Sequence, residues 1–227
     1  MRSALIDADI LVYRIGFASE DSSEAIAIAR LREFLEDLLL FNGFEDYTGY
    51  LTGGNNFRVD LAKTAVYKGN RKAPKPKHYD ALRKYLLEDW EFTLVEGQEA
   101  DDAIGIRAYE LDPGEFSICT IDKDLDMIRG NHYNFVKDLF YDVTEEEALF
   151  NFYKQILTGD RVDNIIGLKG IGDVKAKRIL EECQNEKEMY LAVLEAYEGN
   201  EERVLENGQL LWIRRLPNQM WLPPSLS

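Results

Sequence analysis

The sequence predicts an α/β fold, a mostly parallel central sheet flanked by helices, followed by an all-helical C-terminal part. Three observations carry that expectation. Short apolar runs of strand length alternate with longer segments of helical apolar spacing. Asp7 and Asp122 each close one of those runs, at the strand ends where open parallel sheets collect ligands. From Gly159 onward no strand pattern is visible.

The elements follow in order. Ala4-Leu5-Ile6 is a buried strand ending at Asp7, and Asp21 with Glu24 reads as a capping box for a helix to Phe41 (Ala25, Ile28, Leu31, Leu35, Leu38). Tyr47 to Leu51 is a second strand, closed by the turn-rich Thr52-Gly53-Gly54-Asn55-Asn56. Beyond Pro74 and Pro76 a helix is expected from about Lys77 to Leu87. Phe92 to Val95 is the third strand, a helix opens near Glu99, and Phe116 to Ile121 is the fourth strand. Thr144 with Glu147 is a capping box for a helix to Leu157.

The chain has 227 residues, of which 45% are hydrophobic and 30% charged, which suits a globular protein with a sizeable core. Two cysteines exclude a disulfide framework, and the two histidines, His78 and His132, match no zinc motif. No run of about 18 apolar residues suggests a membrane span. The N-terminus reaches Asp7 and Asp9 before any long apolar stretch, so a soluble, cytoplasmic protein is expected. The formal charge of −15 taken alone argues against a nucleic-acid partner.

Its distribution reverses that reading. From Leu61 to Leu87 there are eight Lys/Arg and one acid, Asp80, so this segment is +7 and the rest of the chain −22. Such asymmetry points to a local anion-binding surface. Glu181 to Glu206 holds nine acids and two bases, spaced as solvated helix faces.

Four acidic clusters lie where strands end or helices begin: Asp7 with Asp9, Glu99-Ala100-Asp101-Asp102, Asp122-Lys123-Asp124, and Asp160 with Asp163. On an extended chain Asp122 and Asp124 point the same way while Lys123 faces elsewhere. Carboxylates gathered at one place repel unless protonated or neutralised by cations, and oxygen-only donors select Mg²⁺ or Mn²⁺. Each cluster by itself also suits a helix N-terminus, where acids complement the dipole. Asp9 and Asp126 read as surface or capping residues. Gly167-Leu168-Lys169-Gly170-Ile171-Gly172 leads into a helical stretch with Lys175, Lys177 and Arg178, a Gly-rich turn able to present backbone N–H groups to an anion. Lys68 and Arg71, three apart, could meet one phosphate.

Read together, Leu5-Ile6-Asp7-Ala8, Tyr13-Arg14, Tyr67-Lys68-Gly69-Asn70-Arg71, Glu99-Ala100-Asp101-Asp102, Asp122-Lys123-Asp124-Leu125 and the run from Leu157-Thr158-Gly159-Asp160 through Asp163-Asn164 to Gly172 resemble the 5′ nuclease (flap endonuclease) family. That family includes the N-terminal nuclease of bacterial DNA polymerase I and the stand-alone 5′–3′ exonucleases of bacteriophages. The resemblance spans about residues 4 to 182. It implies an α/β nuclease core over 1–158 with a basic arch at about 61–87, and a helical region over 159–227 with a helix–hairpin–helix at about 162–182.

It further implies two divalent cations, Mg²⁺ or Mn²⁺, held by Asp7, Glu99, Asp101, Asp102, Asp122, Asp124, Asp160 and Asp163. Lys68 and Arg71 become catalytic. Tyr67, Lys72, Lys75, Lys169, Gly170, Gly172 and Lys175 contact DNA, with a monovalent cation at the helix–hairpin–helix. The implied substrate is DNA with 5′ ends, flaps or nicks, or an RNA–DNA hybrid, cleaved by a monomer in the cytoplasm of a bacterial cell or phage-infected host. One departure stands out. After the second strand the family usually places an aspartate, and here Thr52 (or Leu51) stands there, with no acid from Thr48 to Val59. A metal ligand could be absent, or Asp9 could replace it by another route. Two other readings remain: a PIN-like endoribonuclease, against which the hairpin argues, and a catalytically silent DNA-structure binder.

Overall fold

The computed structural model describes residues 2–225. Its six-stranded sheet has the order β3-β2-β1-β4-β5-β6, with strands β1 (Ser3–Asp7), β2 (Asp46–Thr52), β3 (Thr93–Val95), β4 (Phe116–Cys119), β5 (Gly130–Asn134) and β6 (Leu139–Val143). All neighbours run parallel except β5 and β6, an antiparallel hairpin at one edge. The expected mostly parallel sheet is therefore present. The edge hairpin and β5 were not read from the sequence: Gly130-Asn131-His132-Tyr133-Asn134 carries too few apolar residues to look like a strand, yet pairs with β4 on one side and β6 on the other.

Strand β1 is central and almost wholly buried, and its alternation divides the core. Ala4 and Ile6 face a cluster built with α1 (Ala8–Phe17), α2 (Glu24–Asn42) and α4 (Tyr79–Glu88), through Leu11, Leu31, Leu35, Leu82 and Leu86. Leu5 faces the opposite cluster with α5 (Ala100–Glu110), α6 (Glu145–Thr158), α7 (Asp173–Leu180), α8 (Glu186–Ala196) and α9 (Glu201–Leu211). The aromatic side chains of Phe152, Trp212 and Trp221 interlock there at 4.9–5.4 Å between ring centroids. A short α3 (Arg58–Leu61) follows the turn after β2.

Local signals decide the helix ends. Thr144 caps α6 as expected, its Oγ1 accepting from the Glu147 N–H while Glu147 accepts from the Thr144 N–H. Helix α2 instead starts from Ser23, whose Oγ accepts from Ile26 N–H, so the predicted Asp21 cap lies outside the helix. Serine is an equally good cap and stands nearer the apolar run. Helix α4 begins at Tyr79, two residues later than expected. Beyond α6, a two-residue ladder, β7 (Gly159–Asp160) with β8 (Ile165–Ile166), and a turn fill residues 159–172. No helix precedes the Gly-rich turn within 159–172, so the expected helix–hairpin–helix at about 162–182 is reduced to that turn and α7.

The basic segment from Ala62 to His78 is an irregular strap tied down at both ends. Glu206 on α9 accepts from Lys63 N–H, Thr64 N–H and Thr64 Oγ1 at 2.7–2.8 Å, so this one acid of the C-terminal group anchors the chain rather than facing water. At the other end Pro76 packs onto α1 at Gly16, where any Cβ would fall 2.6 Å from its ring.

A buried ion pair fixes the junction between α3, α5 and the segment after α9. The Arg58 guanidinium, 2% exposed, grips both Asp102 oxygens at 2.6 and 2.9 Å and donates to the carbonyls of Leu210 and Trp212. Burial alone raises a carboxyl's pKa, but Arg58 overrides it and holds Asp102 below the usual carboxylate range. Arg58→Met strands a buried carboxylate and is expected to cost about 3–5 kcal/mol in urea unfolding. The double variant Arg58→Met, Asp102→Leu should recover most of that loss; a double variant as weak as the single one contradicts the pairing.

Candidate active site

The carboxylates converge at the C-terminal edge of the sheet, beside the point where the strand order reverses between β1 and β4. Asp7 ends β1 and caps α1, its Oδ1 accepting from Ile10 N–H at 3.3 Å and its Oδ2 from Thr120 Oγ1 at 2.8 Å. Glu99 is the N-cap residue of α5 and Asp101 lies in its first turn. Capping and site-building are thus the same act: the fold needs acids at two helix starts and aims both starts at one place.

Asp122 and Asp124 follow β4 by a different route from the one expected. The strand ends at Cys119, and a turn brings the pair together, with Asp124 N–H donating to Asp122 Oδ1 at 2.9 Å. Lys123 consequently lines the same cleft instead of facing away. Gln155 Nε2 donates to Asp124 Oδ1 at 3.0 Å. Asp160 accepts from the Val162 and Asp163 N–H groups and so shapes the loop that carries Asp163.

These side chains line two adjoining open clefts. One, of about 490 Å³, contains Asp122, Asp124, Asp160 and Asp163; the other, of about 590 Å³, contains Asp7, Asp9, Glu99 and Thr52. Asp101, Asp122, Lys68 and Arg71 border both. Burial, followed by the charges of Asp9 and Asp122, pushes the Asp7 carboxyl up to about 7. Burial, then Asp122 and Asp160, does the same to Asp124, also to about 7. Asp101 is raised well above the ordinary range by burial and then by Asp7 and Asp122, and Asp122 is raised too. Negative charge is in excess here.

Of the eight expected metal-site acids, the structure brings seven to the clefts. Asp102 is the exception. Both its oxygens are taken by Arg58 and by the N–H groups of Glu99 and Arg214, which leaves no free lone pair facing a cation. Its i,i+3 spacing from Glu99 marks a capping contact, with Glu99 N–H donating to Asp102 Oδ2 at 3.0 Å. Arg58 gave no sequence signal, because its partner stands 44 positions away.

At the end of β2, Thr52 Oγ1 accepts from Ala100 N–H at 2.9 Å, and Thr52 N–H donates to Asp9 Oδ2 at 3.0 Å. A carboxylate therefore does reach this strand end, from α1. It arrives paired, since Arg83 on α4 donates to Asp9 Oδ1 at 3.0 Å and to the Thr52 carbonyl at 2.7 Å.

Lys68 and Arg71 hang over the acids from the strap. Lys68 Nζ pairs with Glu99 and stands 3.5 Å from Asp163, and Arg71 pairs with Asp163. Among the described residues no three acidic, histidine or cysteine side chains stand in a coordinating arrangement. What fits a hard divalent cation is the donor chemistry: carboxylate oxygens alone, several with proton affinity raised by burial and then by one another's charge. The residues expected to meet DNA lie elsewhere. Lys72 and Lys75 are exposed on the strap, with Lys75 Nζ 4.1 Å from the Tyr79 ring centroid. Lys169, Gly170, Gly172 and Lys175 are exposed at the start of α7, where Lys175 Nζ donates to the Gly170 carbonyl and Gly170 uses a φ of +79°. Tyr67 is 7% exposed and lines neither cleft.

No protein-family model matches the chain. It is 28% identical over 208 residues to the 5′-3′ exonuclease of Buchnera aphidicola, covering 82% of this chain and 72% of that protein. It is 27% identical over 216 residues to DNA polymerase I of Caldicellulosiruptor bescii, covering 84% of this chain but only 25% of that much longer protein. The flap endonuclease of bacteriophage T5, crystallised with DNA and metal ions, shares the fold with a TM-score of 0.71 at 17% identity, over 93% of this chain and 89% of the other. Likeness of sequence along most of its length, together with this fold, supports a place for the chain beside the 5′ nucleases.

Proposed function

We propose that the chain is a divalent-cation-dependent, structure-specific 5′ nuclease that hydrolyses phosphodiester bonds in DNA at 5′ ends or flaps. The observation that carries this reading is the meeting of seven carboxylates, drawn from the ends of β1 and β4, the start of α5 and the loop after α6, beneath two strap cations. The sequence relatives named as 5′-3′ exonucleases and the fold shared with a flap endonuclease support it. Asp7, Glu99, Asp101, Asp122, Asp124, Asp160 and Asp163 are proposed to hold two divalent cations. Such cations, when bound, supply Lewis acidity and neutralise charge on a phosphodiester.

The chain's own residues do the rest. Thr120 and Ile10 N–H hold Asp7 in place, and Gln155 holds Asp124, so the donors are oriented before any ligand arrives. Lys68 and Arg71 stand where charge on an attacked phosphoryl group would need compensation. The exposed turn around Gly170 and Gly172, with Lys169 and Lys175, offers backbone N–H groups and positive charge to duplex phosphates. Contacts of that kind read no bases, so binding should be weakly sequence-dependent and steeply salt-dependent.

The direct test is a side-by-side assay in Mg²⁺ of a 5′-labelled flap, a nicked duplex and an RNA-primed duplex. Cleavage of the flap or the nicked duplex is expected; a protein that binds these substrates without cutting them in Mg²⁺ or Mn²⁺ is not a nuclease. Asp101→Asn and Asp122→Asn should each abolish cleavage while leaving the melting profile cooperative. Lys68→Ala should lower kcat far more than it raises KM, and the reverse pattern would make it a docking residue.

The raised carboxyls also predict a pH signature. Asp7 and Asp124 take up protons in the folded state at about pH 7 but near 3.8 when unfolded. Their contribution to stability is therefore fully present at low pH and lost as pH rises through 7. In EDTA the protein is expected to melt at a higher temperature at pH 6 than at pH 8. Added Ca²⁺ should raise the melting temperature at pH 8 and have little effect at pH 5. Equal Ca²⁺ effects at both pH values would show that these carboxyls do not bind it.

A further inference from the structure

The strap does more than carry two cations over the cleft. Tyr67 is buried, a member of the hydrophobic cluster shared with Ile165, Leu211 and Phe152, and its phenol oxygen reaches two carboxylates at once. It lies 2.9 Å from Glu99 Oε2 and 2.7 Å from Asp163 Oδ2. Glu99 belongs to the start of α5 and Asp163 to the loop between β7 and β8, elements that share no strand pairing. Neighbouring contacts dock the same stretch onto the same loop. Lys68 N–H donates to the Asp163 carbonyl at 2.8 Å, Asn164 Nδ2 to the Val66 carbonyl at 2.9 Å, and Asn70 Nδ2 to the Arg161 carbonyl at 2.6 Å. Lys68 adopts a left-handed φ of +54°, a conformation costly for a side-chain-bearing residue and held here by these bonds.

We propose that Tyr67 is a positioning residue of the acidic site: its phenol ties Glu99 to Asp163 and sets the separation of the two sides of the cleft that receive cations. This inference rests on the nuclease reading above and adds to it a residue that touches neither cation nor DNA. The phenol has one proton for two acceptors, and the Lys68 ammonium beside both carboxylates offsets the repulsion between them. A ring this enclosed cannot stack on a base, which separates the proposal from a DNA-contacting role.

Tyr67→Phe keeps the ring and its packing and deletes only the tie. The readouts on the full chain are calorimetric titration with Ca²⁺, the Mg²⁺ concentration giving half-maximal cleavage, and affinity for flap DNA in EDTA. Outer residues that hold metal ligands typically contribute 10–100-fold to metal affinity. Ca²⁺ affinity is accordingly expected to fall about tenfold and the Mg²⁺ midpoint to rise similarly, with DNA affinity in EDTA unchanged. Wild-type Ca²⁺ affinity and Mg²⁺ midpoint in the variant overturn the proposal. So does a loss of DNA affinity in EDTA at unaltered Ca²⁺ affinity, which would return Tyr67 to the DNA interface. If the wild-type protein itself neither binds Ca²⁺ nor cleaves, the nuclease reading fails instead. Should Tyr67→Phe not fold, Asn164→Gly loosens the same docking at a position whose φ of +61° glycine accepts, and the same Mg²⁺ shift is expected, smaller in size; no shift there overturns the proposal.

Discussion

Like charges held close together in a poorly solvated place repel, and much of this molecule is arranged around that repulsion. Seven carboxylates share one edge of the sheet, and several are pushed up in pKa by burial and by one another. Such a gathering would open the fold if nothing opposed it. Helix starts behind Asp7 and Glu99 oppose it with N–H groups and dipoles. Lys68, Arg71 and Arg83 oppose it with positive charge brought from the strap and α4. On the proposed reading divalent cations complete the compensation, and the donor set is made of the oxygens they prefer.

The supports differ in kind, and the difference matters for how the site works. Arg58 and Asp102 form a closed, buried pair with every polar group satisfied, which joins α3, α5 and the segment after α9 into one block. Exposed pairs such as Lys84 with Glu88 contribute little by comparison. The Lys68 and Arg71 pairs are intermediate. They are partly open to water and sit on an irregular segment anchored at Glu206 and at Gly16, so they hold a position without being locked into a helix. Such a segment compensates the acids, and in the proposed function it also presents Lys68 and Arg71 to a phosphate.

Most of the architecture was legible because its signals are local. The strand runs ending at Asp7 and Asp122, the Thr144 capping box and the helical spacing of α2 depend on residues within a few positions of one another. What was missed has local reasons too. Strand β5 looks polar because its buried side chains, His132 and Tyr133, are polar aromatics that stack on Tyr141 and Phe140 of β6, contacts that only the pairing with β6 creates. The α2 cap moved from Asp21 to Ser23 because two acceptable caps stood two residues apart. The segment 159–172 has no helix because its glycines and Asp160 favour turns.

By itself the sequence determined the acids at the strand and helix ends, the basic segment and the order of the motifs, because these are matters of composition and short spacing. It could not decide which acid serves the cleft and which serves the core. Asp101 and Asp102 are neighbours in the chain, yet one faces the cleft and the other is consumed by an arginine 44 residues away. Nor could it show that Asp9 reaches the strand end where Thr52 stands, or that Tyr67 points inward between two carboxylates. Those assignments depend on where a side chain points once distant elements have packed, and only the tertiary structure decides that.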